Sequence, residues 1–155
     1  MRIRLIAIGH KMPEWVTAAW NDYTKRLPQY CSLELIEIPA EKRTKNSDIS
    51  QLVLREGEKI LREVSSSNRL VALEVKGQSW STEKLSQQLN LWMQEGRNID
   101  LIVGGPDGLS SVCLQKAEIK WSLSALTLPH PLVRIIVAEQ IYRAVSLLQN
   151  HPYHR

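Results

Sequence analysis

Between Trp121 and Arg134 the chain reads W-S-L-S-A-L-T-L-P-H-P-L-V-R, a short apolar strand that stops in a loop before a helix begins. Ser122, Ser124 and Thr127 alternate there with Ala125, Leu126 and Leu128, while Pro129 and Pro131 each remove a backbone donor. Pro131 suits the first turn of a helix and Pro129 biases Leu128 towards extended backbone, so the loop is stiff and its shape specified. Such a rigid, apolar, donor-poor loop is either a wall for a flat organic ligand or a crossover packed for stability. His130, between the prolines, is the group beside the loop that can exchange a proton near neutral pH. A second stretch, G-G-P-D-G-L from Gly104 to Leu109, permits a tight turn and close approach of a ligand to backbone. A valine at Gly105 is expected to intrude where ligand meets backbone. The third stretch is the end, N-H-P-Y-H-R, with two histidines, a tyrosine and an arginine in six residues. An idle terminus needs no such composition.

The elements that must position these groups follow from hydrophobic period and breakers. Arg2 to Ile8 alternates into Gly9 as a first strand, and Pro13 opens a helix that carries Val16, Ala19, Trp20, Tyr23 and Leu27 on one face before Pro28. Cys31 to Pro39 is a second strand. The polar loop Glu41 to Asn46 contains Lys42, Arg43 and Lys45, which read either as a phosphate-contacting patch or as solvated side chains. Asn46 or Ser47 is expected to cap a helix from Ile49 to Val64. Leu70 to Val75 is so apolar that it is expected to be buried on both faces, as in a parallel sheet. Thr82 is expected to cap a helix with Leu85, Leu89, Trp92 and Met93, ended by Gly96. Asp100 to Val103, a short helix capped by Ser110 or Ser111, and Ile119 to Leu123 complete the alternation. The class is therefore α/β, one domain with a mainly parallel sheet. Ligands of such sheets lie at carboxyl ends of strands, here Leu73-Glu74, Gly104-Gly105 and Ser122 to Pro129.

The final helix, Pro131 to Leu148, is apolar on more than one face. It either runs through the middle of the domain or, as favoured here, turns its second face to another subunit. Glu139 and Arg143 are spaced to pair on its polar strip.

Composition narrows the classes further. The 155 residues carry a formal net charge of +4, which tolerates a polyanionic partner without demanding one. Cys31 and Cys113 are isolated, so neither a disulfide framework nor a zinc site is indicated, and Pro152 breaks any helix that would align His151 with His154 on a metal. No apolar run approaches a membrane span and the start is not a secretory signal, so a cytoplasmic protein is expected. The glycine-rich dinucleotide and nucleoside-triphosphate fingerprints and the usual hydrolase motifs are absent.

The three stretches, together with K-M-P-E-W near the start and I-E-I-P-A in the second strand, resemble over the whole chain the SPOUT-class methyltransferases that modify N3 of pseudouridine in large-subunit ribosomal RNA. Some of that family have Glu at Asp107, and some extend one residue past Arg155. The resemblance implies a single SPOUT domain over residues 1–155 with a C-terminal trefoil knot, S-adenosylmethionine as cofactor and a homodimer. It implies ribosomal RNA of the assembled ribosome as substrate, with no metal and no membrane. The cofactor residues it implies are Leu73, Gly104 and Gly105 of the glycine turn, and Ser124, Ala125, Leu126, Thr127, Leu128 and Pro129.

Methyl transfer also requires that the imide proton leave, by a general base or by cationic stabilisation of the imidate, and that choice stays open. His154, Arg155 and His130 are the candidates for it. RNA contacts are expected from Lys42, Arg43, Lys45, Arg134 and Tyr153, the last by stacking. A non-enzymatic ribosome-binding factor with the same fold is the alternative from another class, and a dehydrogenase is a distant third.

Overall fold

Alternating side chains on apolar strands produce two buried faces, and the first strand shows both. The computed structural model describes residues 1–154. In β1 (Arg2–Ile8), Ile3, Leu5 and Ala7 point to one side of the sheet and Ile6 and Ile8 to the other. The first set packs with Trp20, Leu85, Leu89, Trp92 and Val137, from α1 (Glu14–Thr24), α3 (Thr82–Glu95) and α5 (His130–Leu148). The second packs with Ile60 and Cys113, from α2 (Ile49–Glu63) and α4 (Ser111–Lys116). The sheet is thus covered by helices on both faces, as an all-parallel sheet must be.

With β2 (Ser32–Ile38), β3 (Arg69–Ser79), β4 (Ile99–Val103) and β5 (Ile119–Ser122), the strand order is β2-β1-β4-β3-β5 and every pairing is parallel. All carboxyl ends therefore face one edge of the molecule, where the connecting loops converge. The expected α/β class holds. Gly96 ends α3 in left-handed backbone at φ 76°, the conformation its position after the last apolar residue called for.

Two caps differ from the sequence reading. Asp48, not Asn46 or Ser47, accepts from the Ser50 and Gln51 amides, because its carboxylate reaches further N–H groups while Ser47 is engaged by Thr44. Ser81, not Thr82, accepts from the Lys84 amide, and Thr82 instead donates to Gln140 of α5.

The last helix is more covered than its pattern suggested. Helices α1 and α3 flank α5. Val133, Val137, Ala138, Ile141, Ala144 and Val145 are buried between those neighbours and the sheet. Leu132 stays 40% exposed, and Ile135, Ile136, Leu147 and Leu148 are half-buried. Glu139 and Arg143 pair as their spacing predicted. No helix among the described residues is long and apolar enough to cross a membrane.

Candidate functional site

The site begins where β3 leaves its ladder. Leu73 and Gln78 both register with Trp121 of β5, so Glu74 to Gly77 loop out between them. The sequence reading ended this strand at Val75; the bulge lets it continue to Ser79. Gly77 makes this possible, since a Cβ there would lie 2.7 Å from the Lys120 carbonyl carbon and oxygen. The bulge presents Glu74 and Val75 to a cavity of about 620 Å³. Bulges beside functional sites commonly re-aim side chains in this way.

The second wall is the turn after β4. Gly108, at φ 81°, donates its amide to the Gly105 carbonyl at 3.0 Å. A Cβ on Gly104 would stand 2.3 Å from the Gly108 carbonyl carbon, so closure of the turn itself demands that glycine. At Gly105 a Cβ would meet Glu56 Oε1 at 3.1 Å and Ile8 Cγ2 at 3.2 Å. Those atoms lie behind the turn, on its core side. The expectation for Gly105→Val is corrected accordingly: the added side chain meets core rather than ligand and disturbs the turn from behind.

The third wall is the loop after β5. Ser122 Oγ donates to the Ser124 carbonyl and Ser124 Oγ accepts from the Leu126 amide, each at 3.0 Å. The loop therefore satisfies part of its own polar backbone, despite its two prolines. Leu126 is 72% exposed. Pro129 caps α5 by offering its carbonyl to the Leu132 and Val133 amides, which sets His130 at the helix start.

Leu73, Gly104, Gly105, Ser124, Leu126, Thr127, Leu128 and Pro129 all line the one cavity, and Ala125 alone of the expected cofactor residues does not. Val103, Leu123 and Val133 extend its apolar lining. Among the described residues, Glu74 and His130 are the only ionisable side chains of the lining. The strand-end pattern reaches Glu74 without giving it a role, because the bulge that turns it to the cavity is set by pairing with β5. Burial holds the His130 imidazole below its ordinary pKa; the Gly105 backbone opposes this, Arg134 adds to it and Glu56 opposes it. Burial thus favours the neutral form of the ring, which can accept a proton.

The other expected site residues lie elsewhere. The tail, from Pro152 to His154, forms a short turn packed on α5. Tyr153 Oη donates to Glu139 Oε1 at 3.2 Å, and its ring centre is 4.6 Å from that of Tyr142. Burial, then Tyr23 and Glu139, push the Tyr153 hydroxyl up to about 12, so it stays protonated. His154 is half-buried, with no partner for Nδ1 among the described residues, and Arg155 lies outside them. Tail and His130 sit at opposite ends of a 19-residue helix, a separation of about 28 Å within one chain.

Of the expected RNA contacts, Lys42 and Lys45 are exposed. Arg134 is not: 2% exposed, it donates to Glu37 Oε2 at 2.7 Å and to the Gly9 carbonyl at 2.8 Å. That placement corrects its reading as a surface cation; it ties α5 to the ends of β1 and β2. Arg43 is corrected likewise. All three of its guanidinium nitrogens are engaged, Nη1 and Nη2 by the buried Glu56 carboxylate at 2.9 Å each and Nε by the exposed Asp107 Oδ2 at 2.8 Å. Among the described residues no group of three or more His, Cys, Asp or Glu side chains is placed to hold a metal.

Known proteins resemble this arrangement at two levels. Two solved methylase-family chains share the fold at low identity. One from Haemophilus influenzae aligns with TM-score 0.55 at 14% identity, covering 96% of this chain and 66% of that one. One from Neisseria gonorrhoeae aligns with TM-score 0.50 at 13% identity, covering 90% and 81%. In sequence, the chain is 56% identical to the ribosomal RNA large subunit methyltransferase H of Hahella chejuensis, over 100% of this chain and 99% of that protein. It is 53% identical to the protein of that name from Marinomonas, over the full length of both. A family described as "Predicted SPOUT methyltransferase" matches residues 1–154. With its parallel sheet and a ligand-sized cavity at the strand ends, the chain belongs to the SPOUT methyltransferase family.

Proposed function

We propose that this methyltransferase acts on large-subunit ribosomal RNA of assembled ribosomes, holds S-adenosylmethionine in the cavity described, and methylates N3 of a pseudouridine. The relatives' names support the RNA class. The observation that carries the cofactor reading is that three separate strand ends close on one cavity within the usual size range of small-molecule sites, about 300 to 1,000 Å³. Its lining suits the group: apolar Leu73, Val103, Leu126 and Leu128 for a flat heterocycle, a glycine turn without side chains to block approach, and a carboxylate at Glu74. When bound, S-adenosylmethionine supplies an electrophilic methyl group.

The chain's own residues have the remaining tasks. They must align the acceptor nitrogen at near-attack distance and take up its proton. His130, at the cavity, is one acceptor for that proton. His154 is a second candidate for that proton and Arg155 a cation that would stabilise the imidate, and one chain's tail lies about 28 Å along α5 from its own cavity. A site that uses both ends of α5 therefore draws the tail from a second copy. Leu132, Ile135, Ile136 and Leu147, left partly open on one side of α5 around the Glu139–Arg143 pair, support a homodimer built on that helix. Lys42 and Lys45 supply positive charge for the RNA backbone. A cytoplasmic location accords with this substrate.

The test is a chain truncated after Asn150. Sedimentation should still report the dimer, and calorimetry should give S-adenosylmethionine affinity within about threefold of the intact chain. Methylation of ribosomes should fall by at least about a hundredfold, the size of effect expected when positioning groups are lost. Near-normal methylation by the truncated chain would remove the tail from the mechanism.

A further inference from the structure

Glu56 is a carboxylate only 2% exposed, on a helix that contributes nothing to the cavity lining. Burying such a charge is costly unless it is paired and hydrogen-bonded, and here it is both. It accepts from Arg43 through both oxygens, and Oε2 also accepts from the Glu41 amide at 3.0 Å. The same arginine donates from Nη1 to the Glu41 carbonyl at 3.1 Å. Its remaining nitrogen, Nε, reaches out of this cluster to Asp107 at the tip of the glycine turn.

One guanidinium thus joins three pieces of chain: its own loop, α2, and the turn that forms a wall of the cavity. Glu56 meanwhile rests against the rear of that turn, where it fills the space a Gly105 side chain would need. The turn is therefore held at its tip by Asp107 and backed by Glu56, with Arg43 common to both contacts. Within the turn the described hydrogen bond is Gly108 to Gly105, so its shape depends on what surrounds it.

We propose that Arg43 is a positioning residue for the methyl-donor cavity, acting through Asp107 and Glu56 to fix the Gly104–Gly108 turn. This rests on the cavity being the S-adenosylmethionine site, and it assigns to an expected RNA contact a different task. Arginine is the side chain for it, because a planar fork can grip one carboxylate with two nitrogens while a third contacts another; lysine offers a point charge alone.

Removing Arg43 outright would orphan a buried charge and risk unfolding, so the test uses two milder variants. Asp107→Ala cuts the tie at the turn and leaves the Arg43–Glu56 pair intact. Arg43→Lys keeps a cation beside Glu56 and loses the fork. Both are measured in the full-length protein by amide exchange at Gly108 without ligand, by thermal melting, and by calorimetric binding of S-adenosylmethionine. Each variant should speed Gly108 exchange and weaken binding by about threefold to fivefold, a partly exposed ion pair's worth, with melting nearly unchanged. The double variant should lose no more than the worse single one, because both cut the same tie.

Unchanged exchange in both variants overturns the proposal. So does an effect confined to Asp107→Ala, which would belong to the turn preference of aspartate alone. If the wild-type protein fails to bind S-adenosylmethionine, the cofactor reading falls, and exchange at Gly108 still decides whether Arg43 fixes the turn.

Discussion

Two buried carboxylates, each gripped by an arginine, stand at opposite ends of the sheet, and they do different things. Asp100 is fully buried near the amino ends of the strands, where it accepts from Arg4 Nε at 2.7 Å and Nη2 at 2.8 Å. The Ser65 amide and Asn68 Nδ2 complete its shell at 2.9 Å and 3.1 Å. Arg4 and Asp100 are register partners on adjacent strands β1 and β4, so the pair is built from the most rigid part of the molecule. Glu56, near the carboxyl ends, is held by an arginine that comes from a loop and also reaches the glycine turn. The first cluster closes on itself. The second has an arm that ends at the site. The same pairing chemistry serves cohesion where both partners lie on strands, and positioning where one lies on a loop.

The largest expected effect tests the cohesive end. Asp100→Ala leaves Arg4 largely buried without its carboxylate, and removing one partner of a buried pair typically costs about 3 to 5 kcal/mol. Urea unfolding should register a loss of that size, while S-adenosylmethionine affinity of the folded protein stays within about twofold. If stability fell by less than about 1 kcal/mol, the amino end would not be the cohesive one. If affinity fell with it, the two ends would not be separable.

A smaller effect sharpens the same point through pH. Burial works against ionisation of Asp100, yet Arg4, the Ser65 amide and Asn68 together hold its pKa below the ordinary carboxylate value. A group whose folded pKa is depressed stabilises fully above its unfolded pKa and loses that contribution as pH falls through the folded one. The wild-type protein should therefore lose stability as pH drops below about 4. Asp100→Asn, less stable at neutral pH, should show a shallower decline over that window. Parallel acid limbs in the two proteins would place the acid sensitivity elsewhere.

The contrast also explains what could be read from the chain alone. Parallel strands, the Gly96 cap and the convergence of Leu73, Gly105 and the loop after Trp121 follow from local pattern, because period and breakers act over a few residues. Arg43 and Arg134 were misread as surface cations for the opposite reason. Arg43 is held by Glu56 and Asp107, 13 and 64 residues away, and Arg134 by Glu37, 97 residues away, and no local pattern announces ties of that range. The bulge at Glu74 to Gly77 escaped for a related cause: Gly77 permits it, but it is the pairing with β5, resumed at Gln78 opposite Trp121, that defines it. The tail's composition did mark it as unusual, but only the fold places it at the far end of α5 from the cavity.

The smallest expected effect is at Leu126, and it is where the two ends differ most in kind. At the amino end a polar cluster hides a charge; at the carboxyl end an apolar side chain lies 72% exposed on the rim of the cavity. An exposed leucine contributes little to folding, so Leu126→Ser should change stability by no more than about 0.5 kcal/mol. If a flat ligand covers it, binding removes part of its surface from water, and full burial of such a side chain is worth about 1.5 to 3 kcal/mol. Partial covering should then make S-adenosylmethionine bind about threefold to tenfold more weakly in Leu126→Ser. Unchanged affinity would mean that the ligand does not reach this wall. A shift towards monomer in sedimentation, with affinity intact, would assign Leu126 to the second copy instead. Either result would leave the glycine turn, rather than the loop after β5, as the principal support of the cofactor.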